Sequence, residues 1–432
     1  MPWKGLSEST ERRLDNATAA DFDFLDRVAR ELSRCGIEWY QQQDPREAAG
    51  PTRDALRIRR VLARADPLRF LGALAAVASN LGVYLYAAGD YQEALGLAGE
   101  AVACYRVLAR DDARYEVDLA TALGNHSNRL VTAGRARDAL AAAEEVVAIR
   151  RRLTAEDEAY RSVLATGLST LCAQLVQTGQ LHAAADAAEE AVVILRQVAA
   201  VSGSETAALA AALNNLGEAC AAIQATDRAR AAAEEAIAIY RRLASEQPER
   251  YSPELAAALS NLASRRWEQR EPTSAERLAA EAVCLLHELA QGNPGHLPAL
   301  AKTMNNLGVY RAALGQAREA LTLARDAVAI IRRLADDNPG LLPDLAGSLN
   351  NLATRLAATH RPREAVGPAE EAVAIWRHLA ETFPQRYLAD LADGLGNAAN
   401  RLFEVGRYVA AEACRQEHDR IRARLRTGAH RS

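Results

Sequence analysis

Leu213-Asn214-Asn215-Leu216-Gly217 decides the fold, because its central asparagine returns along the chain at a fixed interval. The same position is held by Asn80, Asn125, Asn215, Asn261, Asn306, Asn351 and Asn397, with Thr170 at the midpoint of the one double interval. Successive steps are 45 or 46 residues. Fourteen residues after each position stands an alanine: Ala94, Ala139, Ala184, Ala229, Ala275, Ala320, Ala365 and Ala411. Between the two lies a turn position, glycine at Gly89, Gly134, Gly179, Gly315 and Gly406, but Gln224, Arg270 and His360 in three units. Ala48 and Ala55 match Ala94 and Ala101 at an offset of 46, which adds a degenerate unit at the front. A fixed period of this length is the mark of a stacked-repeat architecture.

Within one unit Leu209, Leu213, Leu216 and Cys220 follow the spacing of an amphipathic helix. Beyond the turn Ala229, Ala233, Ala236 and Tyr240 repeat that stripe, widened by Ile239 and Leu243. Thr273 and Glu276 have the spacing of a capping box. Pro253, Pro298 and Pro343 stand where the next first helix is expected to begin, a place that tolerates proline. No segment alternates like a strand. The chain is therefore expected to be all-α: nine helix–turn–helix units over residues 22–426, a tail at 1–21 and a basic tail at 427–432. An alanine at the hairpin crossing lets two helix axes approach to about 8 Å. One hairpin cannot bury its stripe alone, so the units stack into an α-solenoid.

Composition agrees. Alanine, the best helix former, makes up about a fifth of the 432 residues, apolar residues 49% and aromatics 5%. The 52 basic and 56 acidic groups leave a net charge of −4, without the basic excess of a nucleic-acid binder. No apolar run is expected to reach the ~18 residues of a membrane span, and residues 1–10 lack the apolar core of a signal peptide. Cys35, Cys104, Cys172, Cys220, Cys284 and Cys414 are scattered singly, as reduced buried thiols would be, and a cytoplasmic protein is expected.

Leu216-Gly217, the turn glycine, Ala229 and Ala236 resemble the tetratricopeptide pattern of small and large residues. The longer period, with a longer second helix and segments such as Ala244 to Ser252 read as loops, is similar to the repeats of kinesin light chains and to Ala/Arg-rich actinobacterial arrays. The resemblance implies a right-handed superhelix whose first helices line a concave groove, and protein or peptide partners.

No catalytic constellation emerges. The eight histidines are isolated, and metal-ligand spacings, phosphate-binding loops and nucleophile elbows are all missing from the sequence, so no catalytic, metal or cofactor residue is assigned. Acid pairs such as Glu144-Glu145, Glu189-Glu190, Glu234-Glu235 and Glu370-Glu371 sit at one helix position and are followed by arginines such as Arg241 and Arg242, which reads as a charge-balanced outer face. The asparagine column is the better lead. At about 100° per residue it lies roughly 130° from the core stripe. Asparagine carries a donor and an acceptor, so the column either bonds to neighbouring helices or contacts the backbone of an extended peptide. The preceding column is small throughout: Ser79, Gly124, Ser169, Asn214, Ser260, Asn305, Asn350 and Gly396. One turn later Arg129, Arg265, Arg355 and Arg401 stand on the same flank, a candidate fork for carboxylate or phosphate. Tyr84 and Tyr310 take that place in other units, and Trp267 and Phe403 lie two residues beyond Arg265 and Arg401. The reading is a peptide-binding adaptor, with a self-assembling repeat module or a groove used as a small-molecule or enzyme pocket as alternatives.

Overall fold

The computed structural model describes residues 3–42, 44–202 and 207–428, and among these there is no strand. A short helix α1 (Glu8–Asp15) precedes nine hairpins: α2 (Phe22–Gln41) with α3 (Pro45–Ala65), α4 (Pro67–Ala88) with α5 (Tyr91–Asp111), α6 (Glu116–Thr132) with α7 (Ala136–Glu156), α8 (Arg161–Gln177) with α9 (Leu181–Ser202), α10 (Ala207–Ala222) with α11 (Thr226–Glu246), α12 (Pro248–Glu268) with α13 (Pro272–Gly292), α14 (Leu297–Ala313) with α15 (Ala317–Asp337), α16 (Leu342–Ala358) with α17 (Pro362–Thr382), and α18 (Pro384–Glu404) with α19 (Tyr408–Gly428). This is an α-solenoid. By its contacts the chain divides into two units, residues 1–232 and 233–432, with the boundary inside α11.

All eight column alanines are buried. They sit where the two helices of a hairpin touch: a Cβ added to Gly308 would lie 3.3 Å from the Ala320 carbonyl, and one on Gly82 would lie 3.4 Å from that of Ala94. Ser127 fills the same place in α6 and donates a hydrogen bond to the Ala139 carbonyl at 2.8 Å. Small residues on both sides thus bring the axes together, as the spacing implied.

The turn position is left-handed in every repeat that carries it. The five glycines have φ between 72° and 91°, and Gln224, Arg270 and His360 adopt 62°, 61° and 59°. Each turn closes with the same pair of bonds, for example His360 N–H to Ala357 carbonyl and Arg361 N–H to Leu356 carbonyl, the Schellman arrangement that satisfies the last carbonyls of a helix. A side chain in this region strains the backbone by about 1–2 kcal/mol. Gln224→Gly, Arg270→Gly and His360→Gly are each expected to raise stability by about 0.5–1 kcal/mol after the entropy cost of glycine, measurable as a shift in urea midpoint at constant slope.

Second helices of neighbouring hairpins are stapled by arginine–glutamate pairs. In the first unit Arg60 reaches Glu100, Arg106 reaches Glu145 and Arg151 reaches Glu190. In the second, Arg241 pairs with Glu281, Arg332 with Glu371 and Arg377 with Glu417. The acid pairs of the sequence are therefore spent on a surface ladder, each rung worth about 0–1 kcal/mol.

Several local expectations need correction. Thr273 caps nothing: α13 starts at Pro272, and Glu276 instead accepts from Arg311 Nε at 3.0 Å. Pro298 and Pro343 do stand in the first turns of α14 and α16, but Pro253 lies inside α12, which begins at Pro248. A short 3-10 turn occupies the matching segment before α14 and α16, whereas here the helix simply continues. The segment Ala244 to Ser252 is accordingly helical on both sides of Gln247 rather than a loop. Residues 3–21 are more than a tail. Leu14 of α1 is buried, Trp3 Nε1 donates to Asp54 at 2.8 Å, and Arg57 pairs with Glu11 at 3.0 Å, so the segment covers an end of the array that would otherwise expose apolar surface. Helix α4 is long and apolar enough, by length and composition alone, to cross a membrane. That overturns the expectation that no run reaches this length. In the fold its Phe70, Leu74, Val77, Leu81 and Leu85 are buried against the neighbouring helices.

At the other end α19 buries only Ala411 fully, with Ile421 and Leu425 half-buried among Arg415, Arg420, Arg422, Arg424 and Arg426. Ala411 packs with Val366 and Leu402. Deleting residues from 409 onward is expected to uncover these and cause aggregation, visible by light scattering; a truncated chain that stays monomeric would contradict the covering role. Residues 429–432 of the expected basic tail lie outside the described residues.

Candidate functional site

The asparagine column lies on the first helices, each of which packs on the second helix of the preceding hairpin and also approaches a neighbouring first helix in several places. Cα atoms of α4 and α6, and of α8 and α10, come within 8 Å of each other in the first unit, as do those of α12, α14, α16 and α18 pairwise in the second. The second helices are joined instead by long side chains, so the first helices form the inner row of each unit. Asn80, Asn125, Asn215, Asn261, Asn306, Asn351 and Asn397 are all half-buried.

Part of this polar row knits the helices to each other. Asn397 Nδ2 donates to Asn350 Oδ1 at 2.8 Å, Asn305 Nδ2 donates to Ser348 Oγ at 2.6 Å, and Ser260 shares a hydrogen bond with Thr303 at 3.4 Å. Asn397 therefore has a structural role. Asn306 and Asn351, each one residue after a knitted asparagine, are half-buried on the same helices.

The four arginines divide into two kinds. Arg265 lies 3.5 Å from Glu268 and Arg401 lies 3.2 Å from Glu404, each a neutralising partner on its own helix. Arg129 and Arg355 have no carboxylate within 4 Å among the described residues, and burial holds both below the ordinary arginine pKa. Arg129 is only 6% exposed. Its Nη1 donates to the Asn125 carbonyl at 2.7 Å, its guanidinium carbon sits 5.2 Å from the centre of the Tyr86 ring, and its Nε is buried without a partner. A guanidinium stays charged in proteins, so these are desolvated cations that lack a counter-charge.

Of the aromatic side chains, Tyr84 and Tyr310 are buried in the packing, while Tyr40, Trp267 and Phe403 remain partly exposed. Tyr40 stacks on Tyr84 at 4.6 Å in the first unit, and Trp267 lies against Tyr310 at 5.2 Å in the second. Phe403 is half exposed beneath Arg415, at 5.1 Å. The sequence reading missed Tyr40 and Tyr86. Tyr86 was accessible to it, because it occupies the column six residues after the asparagine that also holds Trp267 and Phe403.

No group of three or more histidine, cysteine, aspartate or glutamate side chains that could hold a metal is present among the described residues. All six cysteines are free. Cys104, Cys172 and Cys220 are buried as expected, but Cys284 is exposed. Burial pushes the Cys172 thiol up to about 11, far from a reactive thiolate.

The tetratricopeptide repeat pattern matches residues 74–111, 209–249, 300–339 and 345–382, that is, four of the hairpins described above. These hairpins are tetratricopeptide repeats. No curated protein matches the chain at a significant level. Among solved structures the chain is similar to the apo form of the quorum sensor NprR from B. thuringiensis, with 11% identity and a TM-score of 0.53 over 93% of this chain and 99% of that one. It is also similar to a Signal Transduction ATPase with Numerous Domains protein with a tetratricopeptide repeat sensor from Pyrococcus horikoshii, with 11% identity and a TM-score of 0.54 over 99% of this chain and 67% of that one. BtubC (BKLC) from P. vanneervenii shares 23% identity at a TM-score of 0.47, over 56% of this chain and 90% of that one. At such identities the first two likenesses speak to the fold alone.

Proposed function

We propose that the chain is a non-catalytic adaptor and that the row of first helices within each unit holds an extended protein or peptide segment carrying a carboxylate or phosphate. The observation that carries this reading is the pair of desolvated arginines, Arg129 and Arg355, without carboxylate partners on a surface that offers asparagine amides and aromatic faces. Burial lowers the pKa of three arginines without a carboxylate partner among the described residues; Arg150 spends its guanidinium on the Val163 carbonyl at 2.9 Å, while Arg129 and Arg355 lie in the column beside the asparagines, where a partner's acid would supply the charge. A buried cation left unpaired is costly, and a partner's acid would relieve that cost. In this reading the protein acts in the cytoplasm, binds no nucleic acid and uses no cofactor.

Affinity capture from the native organism followed by mass spectrometry supplies the partner. Its binding is expected to weaken with Arg129→Ala or Arg355→Ala, and the loss is expected to shrink as salt is added, because screening removes the charge contribution. Equal affinity of both variants and the wild type at low salt would refute the reading.

A further inference from the structure

The residue directly after the asparagine column is leucine in six hairpins. It is buried as Leu81, Leu262, Leu307 and Leu352 and half-buried as Leu171 and Leu216, but in the third hairpin it is His126. The imidazole lies against Gly99 of α5: a Cβ built on that glycine would stand 3.6 Å from His126 Cε1. The ring is half-buried, and its Nδ1 is enclosed without a hydrogen-bond partner. A buried polar nitrogen in that state is costly, and converting it into a charged N–H donor with no acceptor costs more.

The acids nearby are already spent. Glu144, Glu189, Glu234 and Glu370 hold the place of Gly99 in four other hairpins, and the last three pair with Arg228, Arg266 and Arg407 of the hairpin that follows. Here the glycine makes room for the imidazole and removes the carboxylate at once. The charged groups that face His126 are Arg106 from α5, Arg129 from α6, Arg135 from the turn and Asp138 from α7. Asp138 is paired with Arg135 at 2.7 Å, and Arg106 with Glu145. Burial first, and then these arginines, hold the imidazole below the ordinary histidine pKa. The fold therefore keeps His126 neutral. Its contribution to stability is full above the ordinary value of about 6.5 and is lost as the pH falls below it.

We propose that His126 makes the seam between the second and third hairpins acid-sensitive: on acidification the imidazole takes up a proton that this seam cannot balance, and α6 loosens locally from α5. Arg129 follows three residues later on the same helix, so the loosening also reaches the row that holds a partner; that consequence rests on the function proposed above. The test is hydrogen exchange of the full chain at about pH 7.5 and about pH 5.5, corrected for the intrinsic pH dependence of exchange, on the wild type, His126→Leu and His126→Gln. In the wild type, opening of α5 to α7 is expected to rise by up to about tenfold at the lower pH, relative to α14 and α15, which hold no histidine. Both variants are expected to lose that difference, the first with the residue of the other hairpins and the second with an uncharged polar side chain. An equal rise in all these helices, or a rise in α5 to α7 that persists in both variants, overturns the proposal. With the captured partner in hand, a local response without a fall in affinity would support the acid-sensitive seam and count against Arg129 as a contact.

Discussion

Replacing Ala320 with leucine is expected to destabilise the array by about 1–3 kcal/mol. Ala320 has no exposed surface, and its backbone already leaves no room beyond a glycine at Gly308. Three extra carbons at this crossing must push α14 and α15 apart. The same substitution at Ala329, exposed on the same helix, should change stability by less than about 0.5 kcal/mol. In a solenoid each hairpin is supported mainly by its neighbours. Loss of amide protection in the Ala320→Leu variant should therefore concentrate in α12 to α17, the substituted hairpin and those on either side of it. Uniform acceleration of exchange over all the hairpins would contradict nearest-neighbour stability.

Much of this was legible in the sequence because a repeat states the same physical requirement many times. The turn position shows how far that goes. Gln224, Arg270 and His360 are not glycine, yet their register alone placed them in the turn, and all three are left-handed. Features outside the register were not legible. Helix α1 belongs to no repeat, so nothing in the period announced that it covers the first hairpin. The start of α12 was read late because Pro253 shares its column with Pro298 and Pro343, while what precedes each proline differs.

The candidate site was legible in part. The asparagine column and its arginines were visible. The split among those arginines was visible too, since Glu268 and Glu404 stand three residues after Arg265 and Arg401, while Thr132 and Ala358 stand after Arg129 and Arg355. What the sequence could not supply was the burial of Arg129 under Tyr86, or which asparagines bond across helices.

Asn306→Ala combined with Asn351→Ala is expected to weaken partner binding roughly fivefold to a hundredfold, from about 0.5–1.5 kcal/mol for each lost hydrogen bond. Neither side chain forms a hydrogen bond to a neighbouring helix among the described residues, unlike Asn305 and Asn397. The helices should therefore stay folded. Arg355→Ala on this background should weaken binding further, and that increment should fall with added salt if the partner presents an acid or phosphate. The most direct measurement is affinity and melting temperature on the same double variant, with the captured partner. Reduced affinity at an unchanged melting temperature is the result expected of an inner row that holds a ligand. A sharply lowered melting temperature with unchanged affinity of the folded fraction would make the asparagines structural and contradict the account.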